Sequence, residues 1–222
     1  MIGRLNESRF PDLNNEALST ESQTQNAISK TQSSHLNKTR MKQLHTNSCG
    51  AVSLLCSAIE LKTGKDLKTS LQCEQKLYRI TSGSGPNDDL TKAGYSLPHH
   101  IIQAADQQGL NSALYFLPNE YSDKLMHLYP AAREACERQG VTVNQTALPH
   151  PHENQRVLKV LQTASGGLHW VMMRPDQTYM DPATGKDAQS FGQLNQNIRQ
   201  ASFGSESYQE TGICLVLTPK QE

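Results

Sequence analysis

Apolar positions change their spacing along the chain, and each change marks a different kind of element. Residues 1–40 hold apolar side chains only scattered, singly or in pairs, among polar runs such as Ser19-Thr20-Glu21-Ser22-Gln23-Thr24-Gln25-Asn26 and Thr31-Gln32-Ser33-Ser34. Such a stretch cannot bury enough surface to offset its ordering entropy, so it reads as a flexible polar tail ahead of a domain over 41–222. The pattern then turns apolar. From Cys49 to Leu61 small or apolar side chains occupy nearly every face until Glu60, which predicts a helix buried almost all round. Asn47 or Ser48 can cap it, and Gly64 fits its stop. Residues 67–80 predict a second, more amphipathic helix, and Ser82-Gly83-Ser84-Gly85-Pro86-Asn87-Asp88-Asp89 a loop.

Ile101, Ile102, Ala104 and Ala105 predict a helix from Pro98 to Gln108, closed by Gly109 and followed by a short strand over 112–117. Leu125, Leu128, Ala132 and Cys136 recur at helical spacing and predict one helix over 120–139. Gly140-Val141-Thr142-Val143 fits the start of a strand, and Ala147 to Asn154 reads as loop. Periodicity does not decide between helix and strand over 157–161. Leu168 to Met173, Thr178 to Asp181 and Ile213 to Thr218 are strand-like, separated by turn residues. Helices first and then a sheet that is at least partly antiparallel make an α+β arrangement.

Composition narrows the function classes. Lys+Arg and Asp+Glu are both 21, with no run of either sign, which argues against a nucleic-acid binder or a polybasic membrane patch. No apolar stretch approaches the ~20 residues that span a bilayer. The N-terminus lacks the apolar core of a Sec signal peptide. Its Ser, Thr, Asn and Gln content fits an export signal of the type III secretion kind as well as it fits a plain tail, and composition does not separate the two. The 5 cysteines form no CxxC pair. Reduced thiols in a cytoplasmic setting follow, with neither a disulfide scaffold nor a zinc site. His99-His100 and His150-Pro151-His152-Glu153 lack well-spaced partners, so no metal or other cofactor is expected.

Cys49 stands at the first turn of the buried helix, where the helix dipole and free backbone N–H groups favour a thiolate. Cys56, seven residues on, lies about 10 Å further along the axis, and with Cys73, Cys136 and Cys214 it reads as core. His169, on the first of the late strands, and Asp181, on the second, sit at the open end of a predicted hairpin. A thiol nucleophile wants an adjacent base, and the imidazole needs an acceptor on its other nitrogen. For Asp181 to share the face of His169, the loop after Met173 must hold an odd number of residues. A three-residue loop Arg174-Pro175-Asp176 would set 173 opposite 177 and 169 opposite 181.

The segment Gln43-Leu44-His45-Thr46-Asn47-Ser48-Cys49-Gly50-Ala51 resembles the Q-x5-C-G nucleophile motif of papain-like cysteine peptidases, notably the bacteriocin-processing (double-glycine leader) peptidase domains. His169-Trp170-Val171 resembles that family's histidine strand, and Asp181-Pro182-Ala183-Thr184-Gly185 its D-P-x-x-G motif. The helix over Pro98 to Ala105, before Gly109-Leu110, resembles the one ahead of its first core strand. The likeness spans 43–117 and 166–218, with an insert near 118–165 between them. It departs at Ser48, where those peptidases carry Asp, and at Ala51, where Pro is common.

The resemblance implies Cys49 as nucleophile, His169 as base, Asp181 as its orienting group and Gln43 as an oxyanion donor beside the Cys49 N–H. It implies a papain-like α+β fold and a protein substrate. No transporter segment follows, so a soluble relative fits better: an effector protease or glutamine deamidase of the kind that pathogenic bacteria deliver into another cell. A transglutaminase-like acyltransferase is similar in its Cys, His, Asp order, although its histidine motif separates His from Trp. A peptidoglycan amidase and an inactive adaptor on the same fold remain as further alternatives. Nothing in the sequence sets the oligomeric state.

Overall fold

The structure is a computed structural model that describes residues 38–148 and 150–221. The expected tail lies outside the described residues, apart from Lys38, Thr39 and Arg40. Those three are already tied in. Lys38 pairs with Asp176 at 2.9 Å, the Thr39 N–H donates to Glu60 at 2.8 Å, and Arg40 pairs with Asp187 at 2.8 Å.

Helix α1 (Cys49–Glu60) buries every residue but Ile59, as its unbroken apolar pattern demands. Helix α2 (Leu71–Thr81) starts where the Ser70 hydroxyl accepts from the Cys73 N–H at 3.3 Å. A 3-10 turn (Leu90–Lys92) leads into α3 (Pro98–Gln107), which has proline in its first turn. The single helix expected over 120–139 is two, α4 (Glu120–Leu128) and α5 (Pro130–Arg138). Pro130 is the cause. Its ring disfavours helical geometry in the residue before it, and Tyr129 sits at φ −130°, ψ 60°.

Seven strands form one sheet in the order β2-β1-β7-β3-β4-β5-β6: β1 (Leu110–Phe116), β2 (Val143–Asn144), β3 (Arg156–Thr163), β4 (Leu168–Met173), β5 (Tyr179–Asp181), β6 (Lys186–Ala188) and β7 (Tyr208–Pro219). Only the β1–β2 pair is parallel. The undecided segment 157–161 is strand β3, in the middle of the sheet. Within the region expected as an insert near 118–165, α4, α5, β2 and the loop after them precede β3. Strand β7 begins at Tyr208, five residues before its apolar run, and passes β3 through an irregularity between Lys159 and Leu161.

The alternation of the strands divides the core. One face presents Leu158, Val160, Trp170, Met172, Met180, Ile213 and Leu215 to α1, α2 and α3. The other presents Val157, Leu161, Val171, Met173, Cys214 and Val216, covered by Leu194 and Ile198 of α6 (Phe191–Ala201). Each such side chain, fully buried, contributes about 1.5–3 kcal/mol relative to exposure. A thiol-bearing helix packed on a mainly antiparallel sheet is the α+β arrangement expected from the sequence.

Candidate active site

The chain enters α1 through the loop 43–48, which a carboxylate holds. Glu74 of α2 is fully buried, and its Oε1 accepts from the Leu44 N–H (2.9 Å), the His45 N–H (3.1 Å) and the Ser48 hydroxyl (2.6 Å). Ser48 also donates to the His45 carbonyl at 2.9 Å. Cys49 follows as the first helical residue, 2% exposed. The glycine after it is a packing requirement, because a Cβ on Gly50 would lie 2.4 Å from the Ser96 Cβ.

His169 arrives on β4. The loop that returns to β5 is Pro175-Asp176-Gln177, closed by the Arg174 N–H on the Thr178 carbonyl at 2.9 Å and by Gln177 at φ 60°. Met173 faces Tyr179 and Met172 faces Met180, so the expected register, with 173 opposite 177, is off by two residues. The parity survives, because the loop is odd. Asp181 therefore lies on the His169 face as a diagonal neighbour, and its Oδ1 sits 2.8 Å from His169 Nε2.

The register pairs β5 with β4 only at Met172 and Met173, and beyond them the edge of β4 is free to meet α1. The Trp170 N–H uses that freedom to donate to the Cys49 sulfur at 3.4 Å. Cys49 stands on the helix side of the sheet and His169 on the opposite face of β4, with the thiol close enough for its charge to act on the imidazole. With Nε2 on the carboxylate, the other ring nitrogen is left for the sulfur.

Asp181 is fully buried and well supplied with donors. Oδ1 also accepts from the Ala183 N–H at 2.8 Å, while Oδ2 accepts from the Thr184 hydroxyl and the Tyr208 hydroxyl, both at 3.3 Å. The glycine of the D-P-x-x-G segment has its own reason. Gly185 sits at φ +69°, and a Cβ there would come 2.8 Å from Lys42 Cβ and 3.0 Å from Lys42 N. That close approach lets the Gln43 N–H reach the Pro182 carbonyl at 2.9 Å, joining the loop ahead of Cys49 to the turn after Asp181.

Gln43 is therefore close to the site, but its side chain is turned into its own loop. Nε2 donates to the carbonyls of His45 (2.9 Å) and Thr46 (2.6 Å), and Oε1 is buried without a partner. Two contacts escape a reading of the sequence. Tyr208 stacks on the His169 ring at 5.0 Å between centroids and 8° between planes, besides its bond to Asp181. Glu74 cradles the loop. Both meet the site from distant stretches of chain, and only an isolated aromatic and an acidic residue in a helix announce them.

Burial pulls the His169 pKa down, but the negative charge of a Cys49 thiolate and the hydrogen bonds to Asp181 and Cys49 outweigh it and push the value up to about 10. Burial and the neighbouring Asp181 keep the Tyr208 phenol protonated well past its ordinary range. Of the other thiols, burial pushes Cys56 up to about 12 and Cys136 and Cys214 up to about 11, as suits core residues. Cys73 is the exception: burial raises its pKa, but the Ser70 hydroxyl and nearby lysines outweigh that, and the thiol is half-buried. The rings of His99 and His100 lie 4.1 Å apart, and among the described residues no group of three or more His, Cys, Asp or Glu could hold a metal ion. Nor does any described helix have the length and apolarity to cross a membrane. A thiol, an imidazole and a buried carboxylate in series form the kind of set that supports nucleophilic attack on a carbonyl carbon.

A family model described as "Invasion plasmid antigen J, cysteine protease" matches residues 41–220. The chain is 35% identical over 204 residues to a Shigella flexneri protein named "Cysteine protease IpaJ", a match covering 80% of this chain and 77% of that one. Among solved structures, a double glycine motif protease from an AMS/PCAT transporter, in complex with the leader peptide, aligns with 83% of this chain and 94% of its own. Its identity is 18% and its TM-score 0.41.

Proposed function

Since the chain belongs to the invasion plasmid antigen J family of cysteine proteases, we propose that it cleaves a protein substrate with Cys49 as nucleophile, His169 as base and Asp181 orienting that base. The Cys49 sulfur attacks the amide carbon, and the imidazolium passes its proton to the leaving amine. A thioester and a free amine result. His169 then takes a proton from water, whose oxygen attacks the thioester and releases the acid and the thiol. The observation that carries this reading is the 2.8 Å contact between His169 Nε2 and a fully buried Asp181, on the strand whose Trp170 N–H meets the Cys49 sulfur.

The oxyanion would take the Cys49 N–H, one of the first N–H groups that a helix leaves without an internal partner. Gln43 joins it as second donor only if its amide leaves the His45 or Thr46 carbonyl. Its buried, unpartnered Oε1 favours such a turn, because an orphaned buried acceptor costs about 1–3 kcal/mol. The cysteine protease family supports proteolysis over the transglutaminase-like and amidase alternatives. Deamidation of a glutamine side chain begins with the same attack. Relatedness to a protein named for an invasion plasmid supports a role as an effector acting in another cell, with the polar N-terminal residues as export signal.

The test compares the full chain with its Cys49→Ala and His169→Ala variants by mapping new protein N-termini in a eukaryotic cell extract. New termini made by the parent chain and by neither variant are expected. A glutamine-to-glutamate mass shift without new termini would convert the reading to deamidation. Identical termini from Cys49→Ala would remove Cys49 from the chemistry.

A further inference from the structure

Tyr208 touches both members of the His169–Asp181 pair. Its hydroxyl donates to Asp181 Oδ2 at 3.3 Å, and its ring lies flat on the imidazole, 5.0 Å between centroids and 8° between planes. The residue is held for this task. It is 7% exposed, its N–H donates to Asn195 Oδ1 at 2.7 Å, and its carbonyl accepts from Asn195 Nδ2 at 3.2 Å. Helix α6 thereby fixes the start of β7 beneath the site. Such clamping explains why β7 begins at Tyr208, well before its continuous apolar run.

We infer that Tyr208 is a positioning residue of the active site: its ring sets the plane of the imidazole and supports the imidazolium, while its hydroxyl fixes the rotation of the Asp181 carboxylate. The inference rests on the reading of Cys49, His169 and Asp181 given above. The two actions are separable by chemistry. An aromatic face stabilises a cation through its quadrupole, so the ring favours the charged imidazole that pairs with a thiolate. The hydroxyl acts on the carboxylate alone, as one of the four donors around it. Phenylalanine keeps the first action and loses the second; leucine loses both. The titratable groups that face the imidazole are Cys49 from α1, Asp181 from β5 and Tyr208 itself from β7.

The first measurement needs no substrate. Alkylation of Cys49 by iodoacetamide is followed across pH in the full chain, with peptide-resolved mass spectrometry to separate it from Cys73. Thermal unfolding is recorded alongside. In Tyr208→Leu the pH at which Cys49 becomes reactive is expected to rise by roughly one unit, because the imidazolium that sustains the thiolate loses its support. Tyr208→Phe, which retains the buried ring, is expected to recover most of that shift while slowing the enzyme about three- to thirtyfold in kcat at unchanged KM, once a cleaved peptide is in hand. If Tyr208→Leu does not fold, Tyr208→Phe still decides. An alkylation profile and kcat both equal to the parent in a folded variant would overturn the inference. His169→Ala controls for the underlying reading. If it leaves the Cys49 profile unchanged, the Cys49–His169 pairing fails and the inference with it; if it collapses the profile while the Tyr208 variants do not move, Tyr208 fails alone.

Discussion

His169 is more basic than an ordinary histidine because it is enclosed with one thiol and one carboxylate, and that has a consequence for stability as well as for chemistry. Its pKa rises from 6.5 to about 10 on folding. A group whose folded value lies above its unfolded one stabilises the protein below the unfolded value and loses that contribution as pH climbs through the folded one. The melting-temperature advantage of the parent chain over His169→Gln is therefore expected to shrink between pH 6.5 and about 10, which a thermal scan across that range checks. At the same scale, Cys49, His169 and Asp181 were legible because each is a chemically committed residue type in a telling place. Tyr208 and Glu74 were not. Their value lies in what they touch, and Tyr208 meets Asp181 across 27 residues of chain.

Elements place these residues, and the decisive ones are α1 and the β4–β5 hairpin. The start of α1 was readable from its apolar run, but the loop that aims it depends on α2. Glu74 Oε1 gathers three donors from residues 44–48. Truncation to alanine would take the acceptor from two part-buried N–H groups and from the buried Ser48 hydroxyl, and bonds to a charged acceptor are worth about 1.5–3 kcal/mol each. Glu74→Ala is expected to cost about 3 kcal/mol of folding stability in chemical denaturation, and to slow Cys49 alkylation at neutral pH even where the protein remains folded. The hairpin shows the opposite balance. Parity alone settled which face Asp181 takes, since one residue of slip moves a strand's whole set of side chains to the other face. The register itself was decided by Arg174, which extends the pairing to Thr178 and turns its side chain inward.

Across the whole molecule, that inward arginine belongs to a buried charge network that binds the site together. Glu60, at the end of α1, accepts from Arg174 at 2.9 Å and Arg156 at 2.6 Å. Arg174 also reaches Asp187 at 3.0 Å and the Thr39 carbonyl at 2.9 Å. The network fastens residues 38–40 to the far end of helix α1 and to the hairpin, so the chain that leads to Gln43 is held along its length. Removing one partner leaves a buried charge uncompensated, at a cost of about 3–5 kcal/mol. Arg174→Met is expected to lose that much in urea unfolding.

The sequence by itself determined the α+β class, the buried helix behind Cys49 and the late strands, and it singled out the three residue types of the candidate site, because periodicity and residue chemistry are local properties. It also settled the parity of the hairpin, which follows from counting. Tertiary structure alone decided what depends on distant partners. It made 156–163 the central strand, turned the Gln43 amide inward and brought Glu74 beneath the loop. It also laid Tyr208 against His169. Burial and hydrogen bonding join positions far apart in the chain, and no local pattern records which of them will meet.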